Sequence, residues 1–344
     1  MHVNQRQCPM KDTAAPIKIV PISPDPSGRV DGISTYCHAL SQLFEDCEEV
    51  RVTPPLNCKV RESRLVNFVF GWHSLYTTMK ATKADVVHVN GYTAFNVFQS
   101  LVMARLLRKR IVYTAHWHPF RMLRRPLLGK VFFYVMIRPF LGLPHRIVTI
   151  NSEDTAFFSF AKHKVRRIPH WNRFKASELP APVEKDKRMV LFIGRFNAFN
   201  KGFDYLYHLP EGEYDIHCVG RGEVDVRSDM TIHTNIPDEE LRSLYAKASL
   251  VVIPSMYEAF SYVALEALTL NTPVLMSDRV RIADYLGECQ GVEVFPYGDY
   301  DAFVQKVATH IGSPVDRDKV LDIFSPDNIR KQYIKVYRES MGSK

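Results

Sequence analysis

The sequence predicts an α/β chain of two doubly wound domains, and three observations carry that reading. Short β-branched runs alternate with helical patterns from one end to the other, as expected of parallel sheets covered by helices on both faces. The alternation pauses once, in a polar stretch with two prolines at 172–188, and then restarts. A length of 344 residues exceeds one compact core and suits two, at roughly 100–200 residues per domain.

In the first half, strands are predicted at 17–22 (IKIVPI), 84–89 (ADVVHV), 110–115 (RIVYTA) and 146–150 (RIVTI), with helices over 32–45, 93–107 and 124–141. In the second, 189–194 (MVLFIG), 214–220 (YDIHCVG), 230–233 (MTIH), 249–254 (SLVVIP) and 273–276 (PVLM) read as strands, each followed by a loop or helix. Ser325-Pro326-Asp327 announces a last helix, with a serine N-cap before a proline at the first helical position. Its apolar residues Ile329, Tyr333, Val336 and Tyr337 share one face. The predicted organisation is an N-terminal tail at 1–16, a first domain at 17–175, a linker at 176–188, a second domain at 189–325, and a C-terminal helix at 326–344 able to cross back to the first domain. Open sheets of this kind bind ligands at the carboxyl ends of their strands, so a cleft between the domains is the expected active site.

Hydrophobic residues at 46% and charged residues at 24% exclude disorder as the main state. The charge is unevenly placed: residues 1–180 carry 26 Lys/Arg against 12 Asp/Glu, or +14, and residues 181–344 carry 19 against 25, or −6. From 86 to 152 there is no acidic residue, while Arg105, Arg108, Lys109, Arg110, Arg121, Arg124, Arg125, Lys130, Arg138 and Arg146 supply ten positive charges. The first half therefore prefers an anionic partner: nucleic acid, a phosphate-bearing substrate or an acidic membrane surface. The six cysteines are scattered without a zinc spacing, which argues against a disulfide framework or structural metal and for a reducing, cytoplasmic compartment. The N-terminus lacks a signal-peptide apolar core and no run reaches the roughly 18 residues of a membrane span.

Chemistry concentrates in 249–275, SLVVIPSMYEAFSYVALEALTLNTPVL. A buried strand runs into a turn at Pro254-Ser255, and Glu258 is expected to open a helix whose first-turn amides, those of Ala259, Phe260, Ser261 and Tyr262, form an anion seat suited to a diphosphate. Glu266 follows among apolar neighbours. Such a carboxylate either sits on an exposed helix edge or needs donors, as the paired hydroxyls of a ribose would be. In 193–202, IGRFNAFNKG, two cations, Arg195 and Lys201, follow a strand end. Two histidines, His116 and His118, follow the strand at 110–115, and His88 lies in HVNGY at 88–92.

The segment E-A-F-S-Y-V-A-L-E resembles the E-x7-E signature of retaining GT-B glycosyltransferases, family 4 in particular, and the flanking PS-x-x-E and TPV agree with it. The resemblance extends over about 17–340 and implies two Rossmann-like domains facing each other across a cleft. It implies that Arg195 and Lys201 reach the donor diphosphate, with Glu258 and His116 beside them in the catalytic centre. By the same resemblance Glu266 takes the donor ribose, and Phe260, Ser261, Tyr262 and Gly220, the last in a V-G-x-G-like turn, lie by the nucleotide. Asn235 and Ile236 lie by the base, and Gly32 stands in the loop that is usually G-G, here with Asp31 replacing its first glycine. Asp31, His88 and His118 fall on the acceptor side. Asn271 stands where glycine is usual, and Asp284 falls in a segment, RVRIADYL, that departs from the pattern.

What the resemblance implies is transfer of a hexosyl group from a nucleotide-diphosphate sugar with retention, by front-face displacement in which the leaving phosphate helps deprotonate the acceptor. No enzymic nucleophile, cofactor or metal is expected. The segment at 118–143 mixes basic and apolar residues and suits a peripheral helix on an anionic membrane. No nucleic-acid-binding signature accompanies the charge. The reading is thus a cytoplasmic enzyme, peripheral on the membrane, acting on a glycan or lipid-linked acceptor in cell-surface polysaccharide, lipopolysaccharide or glycolipid synthesis. The alternative is a nucleotide-sugar- or nucleic-acid-binding protein without transferase activity; the E-x7-E spacing argues against an epimerase or an inverting enzyme.

Overall fold

A computed structural model describes residues 15–23, 32–57, 64–91, 95–116, 138–174 and 183–342. Its first sheet contains β1 (Ile17–Ser23), β2 (Val50–Val52), β3 (Leu56–Asn57), β4 (Val86–Gly91), β5 (Arg110–Ala115), β6 (Arg146–Thr149) and β7 (Val165–Arg167), in the order β2-β1-β4-β5-β6-β7 with β3 also pairing β1. The second contains β8 (Asp186–Arg195), β9 (Asp215–Arg221), β10 (Met230–His233), β11 (Ala248–Ile253), β12 (Val274–Ser277) and β13 (Val292–Phe295), in the order β10-β9-β8-β11-β12-β13. All pairings in both sheets are parallel. The chain reverses its direction of winding between β1 and β4 in one sheet and between β8 and β11 in the other, and such switch points open a crevice at the carboxyl ends of the strands.

The helices of the first half are α1 (Gly32–Leu43), α2 (Arg64–Ala81), α3 (Phe95–Leu106) and α4 (Ser152–Phe157). Those of the second are α5 (Asp238–Lys247), α6 (Tyr262–Thr269), α7 (Ala283–Leu286), α8 (Tyr300–His310), α9 (Arg317–Ile323) and α10 (Pro326–Met341). Strands β4, β11 and β12 are buried at every residue, which is why they read as near-continuous apolar runs in the sequence.

Several boundaries differ from expectation for local reasons. Strand β8 starts at Asp186 rather than 189, because its first three residues are exposed and polar. The short strands β2, β3, β7 and β13 and the helix α2 were not predicted. Of the helix expected at 124–141, residues 138–142 form a single 3-10 turn and the remainder lies outside the described residues, as do most of the tail and 175–182 of the linker. Among the described residues no helix is long and apolar enough to cross a membrane.

Gly220 lies near the end of β9. It pairs with Gly194 across β8 and β9, and a Cβ on it would lie 1.8 Å from the Gly194 carbonyl oxygen and 2.9 Å from the Phe196 ring. Crowding within the sheet is sufficient to require the glycine.

Helix α10 lies on the first sheet, against β4, β5 and β6. Ser325 caps it, accepting from Asn328 N, and Ile329, Tyr333, Val336 and Tyr337 pack with Ile19, Val86, Val112 and Val148. Phe324, only two residues earlier, is buried in the core of the second domain, so the chain changes domain there. This packing also corrects the acceptor-side expectation for His88. The imidazole is fully buried beneath α10, with Nδ1 2.9 Å from the Tyr337 hydroxyl and Nε2 2.7 Å from Thr114 Oγ1. Burial, and then His116, push its pKa down to about 3, so it is a neutral, satisfied core residue. Tyr337→Phe leaves the buried Nδ1 unpaired and is expected to destabilise the chain by about 1–3 kcal/mol in urea unfolding. A stability unchanged within about 0.3 kcal/mol contradicts this assignment.

Candidate active site

The loops that follow β8 and β11 meet at the switch point of the second sheet. Gly202 takes φ +70°, and a Cβ there would lie 2.0 Å from the Pro254 carbonyl oxygen. The Lys-Gly pair therefore lets one loop rest directly on the other, and Met256 N donates to Asn200 O at 3.0 Å. This seats Lys201 Nζ 2.8 Å from Glu258 Oε1, an oxygen to which Ser255 Oγ also donates at 2.9 Å. The two charged side chains are 26% and 14% exposed, so the pair is drier than a surface ion pair. Arg195 ends β8 as an exposed residue, and its guanidinium has no partner among the described residues.

Glu258 does not open a helix. Its backbone is taken by a parallel bridge to Val280, with Glu258 N donating to Arg279 O and its carbonyl accepting from Arg281 N. Helix α6 starts four residues later, at Tyr262, and Ser261 is its N-cap, the hydroxyl accepting from Ala264 N at 3.3 Å. The amides left without an intrahelical partner are therefore those of Tyr262 and Val263 rather than those of 259–262.

Glu266 follows in the second turn of α6. Its Oε1 accepts from Arg173 Nη2 at 3.1 Å and its Oε2 from the Tyr245 hydroxyl at 3.0 Å. The side chain is 18% exposed, which rules out the freely exposed helix edge. Burial raises its pKa, opposed by Arg173 and Tyr245. A carboxylate oxygen has two acceptor sites, so each still has capacity for a further donor.

The two domains meet through rings. His170, buried in the crossover at 168–174, stacks on His116 at 5.9 Å and 12° from the first domain and on Tyr262 at 5.0 Å and 23° from the second. Phe260 meets it edge-on at 5.0 Å and Tyr36 at 5.2 Å. His116 rests against Tyr36 at 4.4 Å and has Nε2 3.4 Å from Asn90 Oδ1. Burial pushes its pKa down to about 3, and burial, followed by the neighbouring His116 and Arg173, holds His170 well below the usual range. Both imidazoles are neutral.

A second contact lies beside this stack. Asn151 Nδ2 donates to Ala259 O and to Asp154 Oδ2, both at 2.9 Å, while Ser152 N and Oγ donate to Asp284 Oδ2 at 2.8 and 2.6 Å. Tyr285 donates to Ile150 O at 2.5 Å. Asp284, which stands where the family pattern is lost, is thus an interdomain acceptor.

Of the sequence-predicted residues, Lys201 and Glu258 are in direct contact, Phe260 and Tyr262 line the face toward His170, and His116 reaches that face from the other domain. Asn235, at φ +54°, and the partly buried Ile236 form the turn between β10 and α5. Asn271 takes φ +60°, the left-handed turn that its place after α6 requires. Gly32 is the first residue of α1, and Asp31 and His118 lie outside the described residues. Sequence reasoning missed His170, Arg173, Tyr245 and Asn151. The run P-H-W-N-R-F at 169–174 held the signal for the first two, since aromatic residues are unusual at the mouth of a flexible linker.

Residues 187–312, from the start of β8 to the end of α8, match the family described as glycosyl transferases group 1. A 41.2 kDa protein in the cps region of Klebsiella pneumoniae is 22% identical over 291 residues, covering 76% of this chain and 80% of that one. A glycosyltransferase of Methanocaldococcus jannaschii is 30% identical over 184 residues, 46% of this chain and 47% of its relative. Among solved structures, Anabaena Alr3699/HepE in complex with UDP and glucose matches with a TM-score of 0.68 at 13% identity, over 93% of this chain and 99% of that one.

The chain has the GT-B fold, and its second domain matches a glycosyltransferase family.

In this chain the neutral rings between the domains make stability depend on pH. The unfolded chain protonates His116 and His170 near their ordinary 6.5 and the folded chain does not, so their contribution is complete above about 6.5 and is lost as the pH falls below it. Asp154 has the opposite sign. Burial raises its pKa to about 7 from 3.8, so its contribution is complete below about 3.8 and is lost as the pH rises through 7. Thermal unfolding between pH 4 and 8 is expected to show an acid limb that is shallower in the His116→Phe, His170→Phe double variant and an alkaline limb that is shallower in Asp154→Asn. Parallel curves for all three proteins contradict the assignment.

Proposed function

We propose that this glycosyltransferase moves a sugar from a nucleoside-diphosphate donor, held by the second domain, to a glycan acceptor on the first, with retention of anomeric configuration and without a metal. The observation that carries the reading is the convergence of Lys201, Ser255 and Glu258 at the switch point, with Glu266 in the second turn of the helix that follows. Glu266 accepts the two ribose hydroxyls on its remaining lone pairs. Asn235 and Ile236 border the base. The amides of Tyr262 and Val263 with Arg195 and Lys201 take the diphosphate, each charge-assisted bond contributing about 1.5–3 kcal/mol.

The acceptor hydroxyl attacks the anomeric carbon on the face from which the diphosphate leaves. As the new glycosidic bond forms, the bond from the anomeric carbon to the leaving oxygen breaks, its electron pair stays with the diphosphate, and a phosphate oxygen takes the hydroxyl proton. Lys201 and Arg195 stabilise the charge that develops on the leaving group. His116, neutral at the cleft, binds a sugar hydroxyl without adding charge.

The acceptor is lipid-linked and the enzyme works at the cytoplasmic face of a membrane in surface-polysaccharide synthesis. The acid-free, basic stretch at 86–152 supports this, as does the likeness to a protein of a cps region. A thermal-shift panel of nucleotide sugars identifies the donor. Glu266→Ala is then expected to weaken its binding at least tenfold by calorimetry, and Lys201→Ala to lower kcat by about 10²–10³. Wild-type donor affinity in Glu266→Ala overturns the ribose assignment.

A further inference from the structure

Arg173 lies outside the family motifs quoted above, yet it touches the carboxylate on which donor recognition rests. The crossover at 168–174 leaves β7 of the first sheet and enters the second domain, where Asn172 N donates to Phe324 O at 2.9 Å and Phe174 packs on the core. The intervening residue is thereby delivered to the second turn of α6. Its guanidinium lies over the Tyr262 ring at 3.9 Å while Nη2 donates to Glu266 Oε1. Tyr262 is itself stacked on His170, so the arginine is fixed by a plane that both domains help to hold.

We infer that Arg173 is a positioning residue for the donor: it sets the orientation and the charge of Glu266, so that the carboxylate presents its remaining lone pairs to the ribose. The inference rests on the reading that Glu266 takes the ribose. Two arguments support it. Burial alone disfavours the charged carboxylate, and Arg173 is the largest opposing influence, followed by the Tyr245 hydrogen bond. The other groups acting on Glu266 are Asp238 of α5, which raises its pKa, and the neutral Tyr262 on its own helix. A planar guanidinium can donate to a carboxylate and stack on a ring at once, which an ammonium does less well.

The test uses the full chain and whichever of UDP, GDP and ADP binds the wild type, with affinity measured by calorimetry from pH 5 to 8. Arg173→Met is expected to move the acid limb of binding upward by about one pH unit, since loss of an adjacent cation raises a carboxylate pKa by that order. Arg173→Lys restores the position of the limb with a lower affinity at pH 8. The terminal phosphate titrates identically in every protein, so differences between variants report on Glu266. If Glu266→Ala binds as the wild type does, or the wild type binds none of the three, the ribose reading fails and the inference with it. If Glu266→Ala loses binding while Arg173→Met keeps the wild-type acid limb, the ribose reading stands and the role of Arg173 is overturned.

Discussion

Two sheets whose carboxyl ends face one another have to be joined by a chain that leaves one and enters the other, and here the joint is a stack of flat groups. His116, His170, Tyr262 and the Arg173 guanidinium follow one another across the boundary. Aromatic contacts of this kind contribute about 0.5–1.5 kcal/mol each beyond burial, but their position matters more than their sum. The first member belongs to the first domain, the second and fourth to the crossover, and the third opens the helix that carries Glu266. Any change in the angle between the domains therefore acts on the helix that carries Glu266. The hydrogen bond from Asn151 to Ala259 O and those from Ser152 to Asp284 add directional contacts on the same boundary.

The charge distribution takes on a different meaning in this frame. The second half is net negative, yet the ends of β8 and β11 hold Arg195, Lys201 and the free amides at the start of α6. A domain of unfavourable net sign can hold an anion because recognition is local, set by groups within a few ångströms. Of the first half's cations, Arg173 reaches this boundary, where it meets Tyr262 and Glu266, and the imidazoles beside it are neutral.

Much of the architecture was legible in the sequence because buried parallel strands need apolar residues on both faces, as in β4, β11 and β12. The edge strands β2, β3 and β7 are two or three residues long, too short for a periodic pattern. In the site, Lys201, Glu258 and Glu266 were legible because their spacing is fixed by a loop and one helix. Arg173 and Tyr245 were not, because they reach Glu266 from distant segments, and the polar composition around Arg173 reads as linker. His88 and Gly220 show why residue type at a strand end is ambiguous. A strand's carboxyl end presents side chains both to the cleft and to the layer that covers the sheet, and residue type alone does not say which. His88 points under α10, and Gly220 yields to the carbonyl of its neighbour.

On the proposed reading, donor recognition and domain contact share one surface. Hydrogen–deuterium exchange on the full chain, with and without its nucleotide sugar, tests this most directly. Protection is expected at 195–202 and 254–266, around the loops and helix that meet the donor, and also at 168–174 in the crossover. Protection confined to the groove lined by His38, Phe44, Arg51 and Pro54 near the end of α1, or protection of the two loops that leaves the crossover unchanged, contradicts it.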